Sequence, residues 1–251
     1  MTKIALITGS SRGLGRSMAL NVARHGGDVV VTYNGSKDAA DAVVAEVTKL
    51  GRKAVALKLN VEDVASLPAF GEAFKAALGK TFGRNDFDHL VHNAGYGEYG
   101  LIPDVSSEAF DRMVNVHFKG PFFLTQALLP LLANGGRIIN ISTAFTRTSS
   151  PGWSVYASAK GALEVLTHFQ AAELGARGIT VNTVAPGAIE TDFGGGALKN
   201  MPDVQNYFKS ITALGRTGQP DDVGAMVASL LSDDNRWINA QRIEVSGGAL
   251  I

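Results

Sequence analysis

Seven short runs rich in apolar and β-branched residues recur along the chain, at Ile4–Thr8, Val29–Thr32, Ala54–Leu59, Leu90–His92, Arg137–Ile141, Thr180–Ala185 and Ile243–Val245. Between them lie longer stretches whose apolar residues repeat at helical spacing: Leu14–His25, Ala39–Leu50, Ala65–Leu78, Ser107–Leu132, Val155–Gly175 and Asp221–Leu231. Runs apolar at nearly every position suit strands buried on both faces, and strand–helix alternation implies right-handed crossovers. The pattern predicts an α/β fold, a doubly wound parallel sheet of about seven strands with helices on both faces. Gly26-Gly27, Gly51, Gly135-Gly136 and Gly178 fall where helices must stop, and read as left-handed C-caps. No repeat, low-complexity segment or linker divides the chain, so residues 1–251 are expected to form one domain.

Composition narrows the function more than the fold. Lys plus Arg and Asp plus Glu balance at 23 each, which points to neither a nucleic acid nor an anionic membrane as partner. With no cysteine, disulfides, thiolate catalysis and Cys-ligated metal are excluded, and no metal is expected. The N-terminal apolar run is too short for a signal peptide, and no run approaches the roughly 20 apolar residues of a membrane span. A cytoplasmic enzyme is the expectation.

The first strand runs into Thr8-Gly9-Ser10-Ser11-Arg12-Gly13-Leu14-Gly15, and a helix follows at once. In an open parallel sheet the ligand crevice lies at the carboxyl ends of the strands, where this turn sits. Glycines permit the tight backbone, and the helix N-terminus offers free N–H groups to a diphosphate. Gly9, Ser11, Arg12, Gly13, Leu14 and Gly15 are therefore the expected nucleotide contacts, in a Rossmann-like sheet. The spacing is G-x-x-x-G-x-G, not the common G-x-G-x-x-G.

Tyr156-Ala157-Ser158-Ala159-Lys160 opens a long helical stretch, and residues four apart share a helix face. Carbonyl reduction by a nicotinamide needs a proton donor, yet a free phenol titrates near ~10. A neighbouring ammonium favours the phenolate, so Lys160 is expected to lower the Tyr156 pKa.

With these residues in place the chain resembles the short-chain dehydrogenase/reductase family over essentially its whole length. The matching pieces are the Thr8–Gly15 turn, His92-Asn93-Ala94-Gly95, Asn115, Tyr156-x-x-x-Lys160, and Pro186-Gly187 followed by Thr191. The resemblance implies a catalytic set of Asn115, a hydroxyl residue, Tyr156 and Lys160. The family's serine falls at Thr143 here, with Ser142 as its neighbour. A threonine keeps the hydroxyl and adds a methyl. By resemblance, Tyr156 is the general acid/base, Lys160 also holds the nicotinamide ribose, and Asn115 supports a proton-relaying water. Pro186, Gly187 and Ile189 would line the nicotinamide, Thr191 would bond its carboxamide, and Asn93, Ala94 and Gly95 would pass beside the adenine ribose. Asn60 and Val61 would flank the adenine, with the Asn60 carbonyl accepting from its amino group. His92 reads as a satisfied strand-end histidine.

A carboxylate ending the second strand would select NAD(H), but that strand ends Thr32-Tyr33-Asn34-Gly35-Ser36. Tyr33 and Asn34 leave the ribose 2′ position without an acid, and Arg12 is placed to meet a 2′-phosphate. NADP(H) is thus expected over NAD(H). Tyr96, Tyr99, Phe145, Trp153, Phe193, Met201, Tyr207 and Phe208 are candidate walls of an apolar pocket for a small carbonyl or alcohol substrate, and Gly194-Gly195-Gly196 suggests a mobile lid. Three readings compete: a carbonyl reductase of broad range, a 3-oxoacyl-carrier-protein reductase, and a cofactor-binding regulator without catalysis. Gly120–Gly136 lacks Lys and Arg, and between Lys160 and the next strand only Arg177 is basic, which favours the first over a carrier-docking enzyme. Leu128, Leu129, Leu131, Leu132, Leu166 and Phe169 suggest excess apolar helix surface, and a homotetramer is expected.

Overall fold

The computed structural model describes residues 1–251. Its strands are β1 (Ile4–Ile7), β2 (Asp28–Tyr33), β3 (Ala54–Lys58), β4 (Phe87–His92), β5 (Leu132–Ile141), β6 (Thr180–Pro186) and β7 (Arg242–Val245). Its helices are α1 (Gly13–Arg24), α2 (Lys37–Lys49), α3 (Leu67–Ala77), α4 (Ser107–Val114), α5 (Gly120–Leu128), α6 (Ser154–Leu174), α7 (Ala197–Asn200), α8 (Pro202–Ser210) and α9 (Pro220–Leu230). The strands form one sheet in the order β3-β2-β1-β4-β5-β6-β7, every neighbouring pair parallel. The expected seven-stranded, doubly wound sheet is what the chain forms. The winding reverses between β1 and β4, and the crevice at that switch point is where such sheets bind ligands.

Side chains alternate across the sheet as the pleat requires. Ile4 and Leu6 enter one core with Phe70 and Phe74 of α3, Leu124 and Leu128 of α5, and Leu174 of α6. Ala5 and Ile7 enter the other with Met18 and Val22 of α1, Val43 and Val47 of α2, and Val223 and Val227 of α9. Both faces of the sheet are thereby covered, which is why the strands read as continuous apolar runs.

Three expectations need correction. The stretch Ser107–Leu132 is not one helix: α4 gives way to a widened π-type turn at Asn115–Lys119 before α5 begins, and Leu132 already starts β5. Pro121 has no N–H for the regular ladder, and a π-turn is the local adjustment that absorbs this. Gly26, Gly51 and Gly178 do carry left-handed φ values at helix ends, but Gly135 (φ 74°) lies within β5, well past the end of α5. Leu128 and Leu132 belong to the core at 0% and 2% exposure; the apolar side chains bared on α5 and α6 are Phe122, Val165 and Phe169. Helices α7 and α8 went unread, although Pro202 at the first position of α8 is a helix-start signal.

Candidate active site

The glycine turn between β1 and α1 is held by hydrogen bonds from both neighbouring strands. The Gly9 N–H donates to Thr32 Oγ1 (3.0 Å), and Ser10 N–H to the Thr32 carbonyl (3.0 Å). On the other side Thr8 Oγ1 accepts from the N–H groups of Asn93 and Ala94, both at 2.8 Å, while Asn93 Nδ2 donates to the Thr8 carbonyl at 2.8 Å. Gly9 (φ 64°) and Gly13 (φ 55°) use left-handed backbone that other residues rarely adopt. A Cβ on Gly9 would strike Ala94, and one on Gly15 would strike the Gly9 carbonyl and Asn93. No side chain caps the first N–H groups of α1. A tight turn without side chains, opening onto uncapped N–H groups, fits a diphosphate.

Arg12 is exposed in this turn and makes no ion pair, and Tyr33 and Asn34 stand at the end of β2 with no carboxylate between them and Asp38. Ser11 is half-buried, and Leu14 packs against the core beneath α1. Val61 is buried; Asn60 Oδ1 accepts from the Glu62 N–H at 3.2 Å, so only its second lone pair remains for a base. At the far side, Pro186 ends β6, Gly187 donates to the Val245 carbonyl, and Ile189 bridges to Gly218. Thr191 comes within van der Waals reach of the Gly13 position, which brings the segment after β6 back against the glycine turn.

The candidate catalytic residues lie where β5 ends and α6 begins. Thr143, Tyr156 and Lys160 are buried at 8%, 7% and 4% exposure. The Thr143 hydroxyl lies beside the Tyr156 phenol and favours its ionised form, while its Oγ1 accepts from the Phe145 N–H at 3.3 Å. Ser142 faces away, its Oγ donating to Glu164 Oε1 at 2.6 Å. The strand's alternation therefore puts the threonine, not the serine, on the phenol, as the register predicts. Lys160 Nζ donates to the Ile141 carbonyl at 2.6 Å and lies 6.0 Å from the Tyr156 ring centroid. Half-buried Asn115 opens the widened turn, its carbonyl accepting the Gly120 N–H.

The electrostatics differ from the expected acidified phenol. Burial pushes Tyr156 up to about 12, opposed only by the neighbouring Thr143 hydroxyl. Burial also pulls Lys160 down to about 7. Desolvation outweighs the ammonium here because the two groups share a dry site and not a solvated helix face. His92 is neutral, pulled to about 3 by burial, with Nε2 on Thr125 Oγ1 at 2.8 Å; it is a satisfied strand-end histidine.

Aromatic rings wall the site. Trp153 stacks on Phe193 at 5.8 Å and meets Phe145 at 5.8 Å, Tyr156 at 5.9 Å and Tyr99 at 6.3 Å. Phe193 also reaches Tyr156 at 5.3 Å. Tyr207 and Phe208 instead pair with each other on α8, and Met201 is exposed, so these three lie outside that ring cluster. Tyr96 sits beside His117.

This chain matches, over residues 9–249, the family described as enoyl-(acyl carrier protein) reductase, a branch of the short-chain dehydrogenases/reductases. The chain is a short-chain dehydrogenase/reductase. The reductase is 36% identical to the tetrahydroxynaphthalene reductase PfmaG of Pestalotiopsis fici, covering 99% of this chain and 91% of that protein. Among solved structures it superposes on the angucycline C-6 ketoreductase LanV with bound NADP at a TM-score of 0.93 and 38% identity, covering 99% and 95% of the two chains. The promiscuous reductase LugOII, described as catalysing keto-reduction at C1 during lugdunomycin biosynthesis, matches at a TM-score of 0.94 and 37% identity, covering 99% and 98%.

Two features of the reductase's site escaped the sequence. Glu164 accepts from Ser142, Thr146 (2.8 Å) and Arg242 (3.0 Å), and Arg242 reaches the Thr143 carbonyl (3.3 Å), so an ion pair from α6 and β7 braces the segment carrying Thr143. The available signal was an acid one turn past Lys160 on the same helix. His117 was also unread; it lies in the π-turn with its ring edge-on to Tyr156 at 5.0 Å.

Proposed function

We propose that this reductase uses NADPH to reduce ketones carried on fused or substituted aromatic rings to alcohols. The observation that carries the reading is the buried Thr143–Tyr156 pair of hydroxyls, enclosed by Trp153, Phe145 and Phe193. Thr143 holds the substrate oxygen in place beside the phenol, and Tyr156 delivers its proton to that oxygen. A phenol held near 12 stays protonated at neutral pH, ready to act as the acid. Lys160 orients the cofactor ribose and supplies positive charge beside the developing alkoxide. The uncapped turn at Gly9–Gly15 would hold the diphosphate, Arg12 the 2′-phosphate, and Thr191 the carboxamide; bound there, the nicotinamide supplies the hydride. The relatives' names support the aromatic ketone reading, since tetrahydroxynaphthalene and angucycline reductases both appear among them.

The single domain, the homotetramer and a cytoplasmic location complete this reading. Phe122 (42%), Val165 (57%) and Phe169 (62%) bare an apolar stripe on α5 and α6 that a second copy would cover. No helix is long and apolar enough to cross a membrane. Gly194, Gly195 and Gly196 all hold left-handed φ values, which suits a hinge that lifts Phe193 from Tyr156 when substrate enters. Arg177, the one basic residue there, is tied to its own chain through Asn134 and the Leu129 carbonyl, which leaves a single charge and no basic patch for an acidic carrier protein.

The test is NADPH oxidation with 2-tetralone, a monocyclic aryl ketone and an acetoacetyl thioester. Tetralone is expected to have the highest kcat/KM. A thioester preferred by more than about tenfold, a difference of about 1.4 kcal/mol in transition-state binding, would replace this reading with 3-oxoacyl reduction.

A further inference from the structure

Gly13 of the glycine turn, Thr191, Asp192 and Lys199 line one polar cavity of about 420 Å³. Arg16, Glu190 and Asp221 also face it, but each of these holds parts of the fold together. Arg16 ties α1 to α2 through Glu46 at 2.6 Å, and Glu190 accepts from the Thr217 hydroxyl. Asp221 ties α9 to α1, accepting from the Ser17 hydroxyl and from Asn21 at 3.1 Å. Lys199 and Asp192 are different. Their side chains are bonded only to each other, at 3.2 Å, and are 54% and 56% exposed. An exposed pair of this kind adds little stability and exchanges partners readily. It also joins two points of one segment and not two elements. Between them lie Gly194, Gly195 and Gly196, at φ 60°, 75° and 75°, a run of left-handed backbone that serves as a hinge. Thr191, before the hinge, is packed against the Gly13 position, while Lys199 is carried beyond it on α7.

The first N–H groups of α1, which Gly13 opens, have no side-chain cap and attract an anion. In the same cavity an ammonium favours a diphosphate and a carboxylate opposes it. We propose that Lys199 is a cofactor-binding residue that exchanges Asp192 for the diphosphate of the dinucleotide, and that Asp192 is the resident anion competing for it. Lys199 then holds the part of the cofactor common to NADPH and NADH, whereas Arg12 answers only the 2′-phosphate. The proposal rests on the reading that Gly9–Gly15 holds the diphosphate, and it adds the hinged segment after β6 to that site.

Lys199→Met and Asp192→Asn test it through opposite signs, read as dissociation constants from the fluorescence of bound NADPH and NADH. K199M keeps the aliphatic stem and loses the charge. It is expected to weaken both cofactors by the same factor, about fivefold, the scale of one charge-assisted bond at a half-exposed position. D192N removes the competing anion and is expected to tighten both by about threefold. A pair that merely stiffened the loop would weaken binding in both variants. The loss of NADPH affinity from low to high salt should also be shallower in K199M, since one screened attraction is gone. Adenosine 2′-monophosphate, which lacks the diphosphate, is expected to displace NADPH with a parental dissociation constant of its own in K199M. Parental cofactor affinity in K199M, a loss confined to NADPH, an unchanged or weakened affinity in D192N, or an equal loss for adenosine 2′-monophosphate overturns the proposal. A parent that binds neither cofactor would instead remove the diphosphate reading itself, so the two failures are told apart in one titration.

Discussion

Replacing Thr143 and Ser142 in turn tests the register of the β5 end. Thr143 lies beside the Tyr156 phenol and opposes the burial that lifts its pKa to about 12. Ser142 faces the other way and donates to Glu164 at 2.6 Å. Thr143→Ala therefore removes the hydroxyl beside a group that becomes charged, and a hydrogen bond from it to the forming charge is worth about 1.5–3 kcal/mol. If that bond is fully expressed in the transition state, kcat/KM falls by about 10- to 100-fold. Thr143→Ser keeps the hydroxyl and is expected to stay within about threefold, since the methyl removed takes no part in the bond. Ser142→Ala is expected to cost about 1 kcal/mol of stability and little activity. The assay is steady-state 2-tetralone reduction for the three variants, with melting temperatures alongside. An inactive Ser142→Ala beside an active Thr143→Ala would refute the assignment.

Arg12→Ala should weaken NADPH by roughly 10-fold or more and NADH hardly at all, as a charge-assisted phosphate bond to an exposed side chain implies; equal losses in titrations with both cofactors would reduce Arg12 to a support of the turn. Lys160, held at about 7 against an ordinary 10.5, binds fewer protons folded than unfolded between those values, so its penalty on stability is full below pH 7 and fades as pH rises. The melting-temperature difference between Lys160→Met and the parent, measured without cofactor, should accordingly shift in the parent's favour from pH 7 to pH 10, and a constant difference contradicts the buried ammonium. Light scattering at micromolar concentration should give the mass of four chains, and Phe169→Glu, a charge placed on the bared α6 stripe, should lower it; a monomer or dimer for the parent rules out the tetramer.

The sheet was legible because its strands are buried on both faces: Ile4–Ile7 and Val29–Val31 could not be apolar at every position otherwise. The site's frame was legible because a glycine turn and a Tyr-x-x-x-Lys pair impose their geometry locally, within one turn of chain. The break in the Ser107–Leu132 stretch was harder to see, since a π-turn before Pro121 changes the hydrogen-bond ladder without changing the apolar spacing. The direction of the Tyr156 shift was misjudged for a different reason. Proximity of Lys160 is written in the spacing, but desolvation of the phenol depends on Phe193 and His117, which arrive from distant parts of the chain, as well as on nearby Trp153. His117 itself carries no local signature; only the fold shows that one of its nitrogens is used and the other is not.

The central claim is that Tyr156 is the acid that protonates the reduced carbonyl, and Tyr156→Phe tests it most directly. The phenol oxygen holds no other element of the fold in place, so its removal leaves the ring packing and the nucleotide turn intact. NADPH binding, followed by the cofactor's fluorescence, is expected to change little, while kcat for 2-tetralone falls by about 10²-fold or more, the usual scale for a lost general acid. A Tyr156→Phe protein that binds NADPH and keeps most of its turnover would contradict the account.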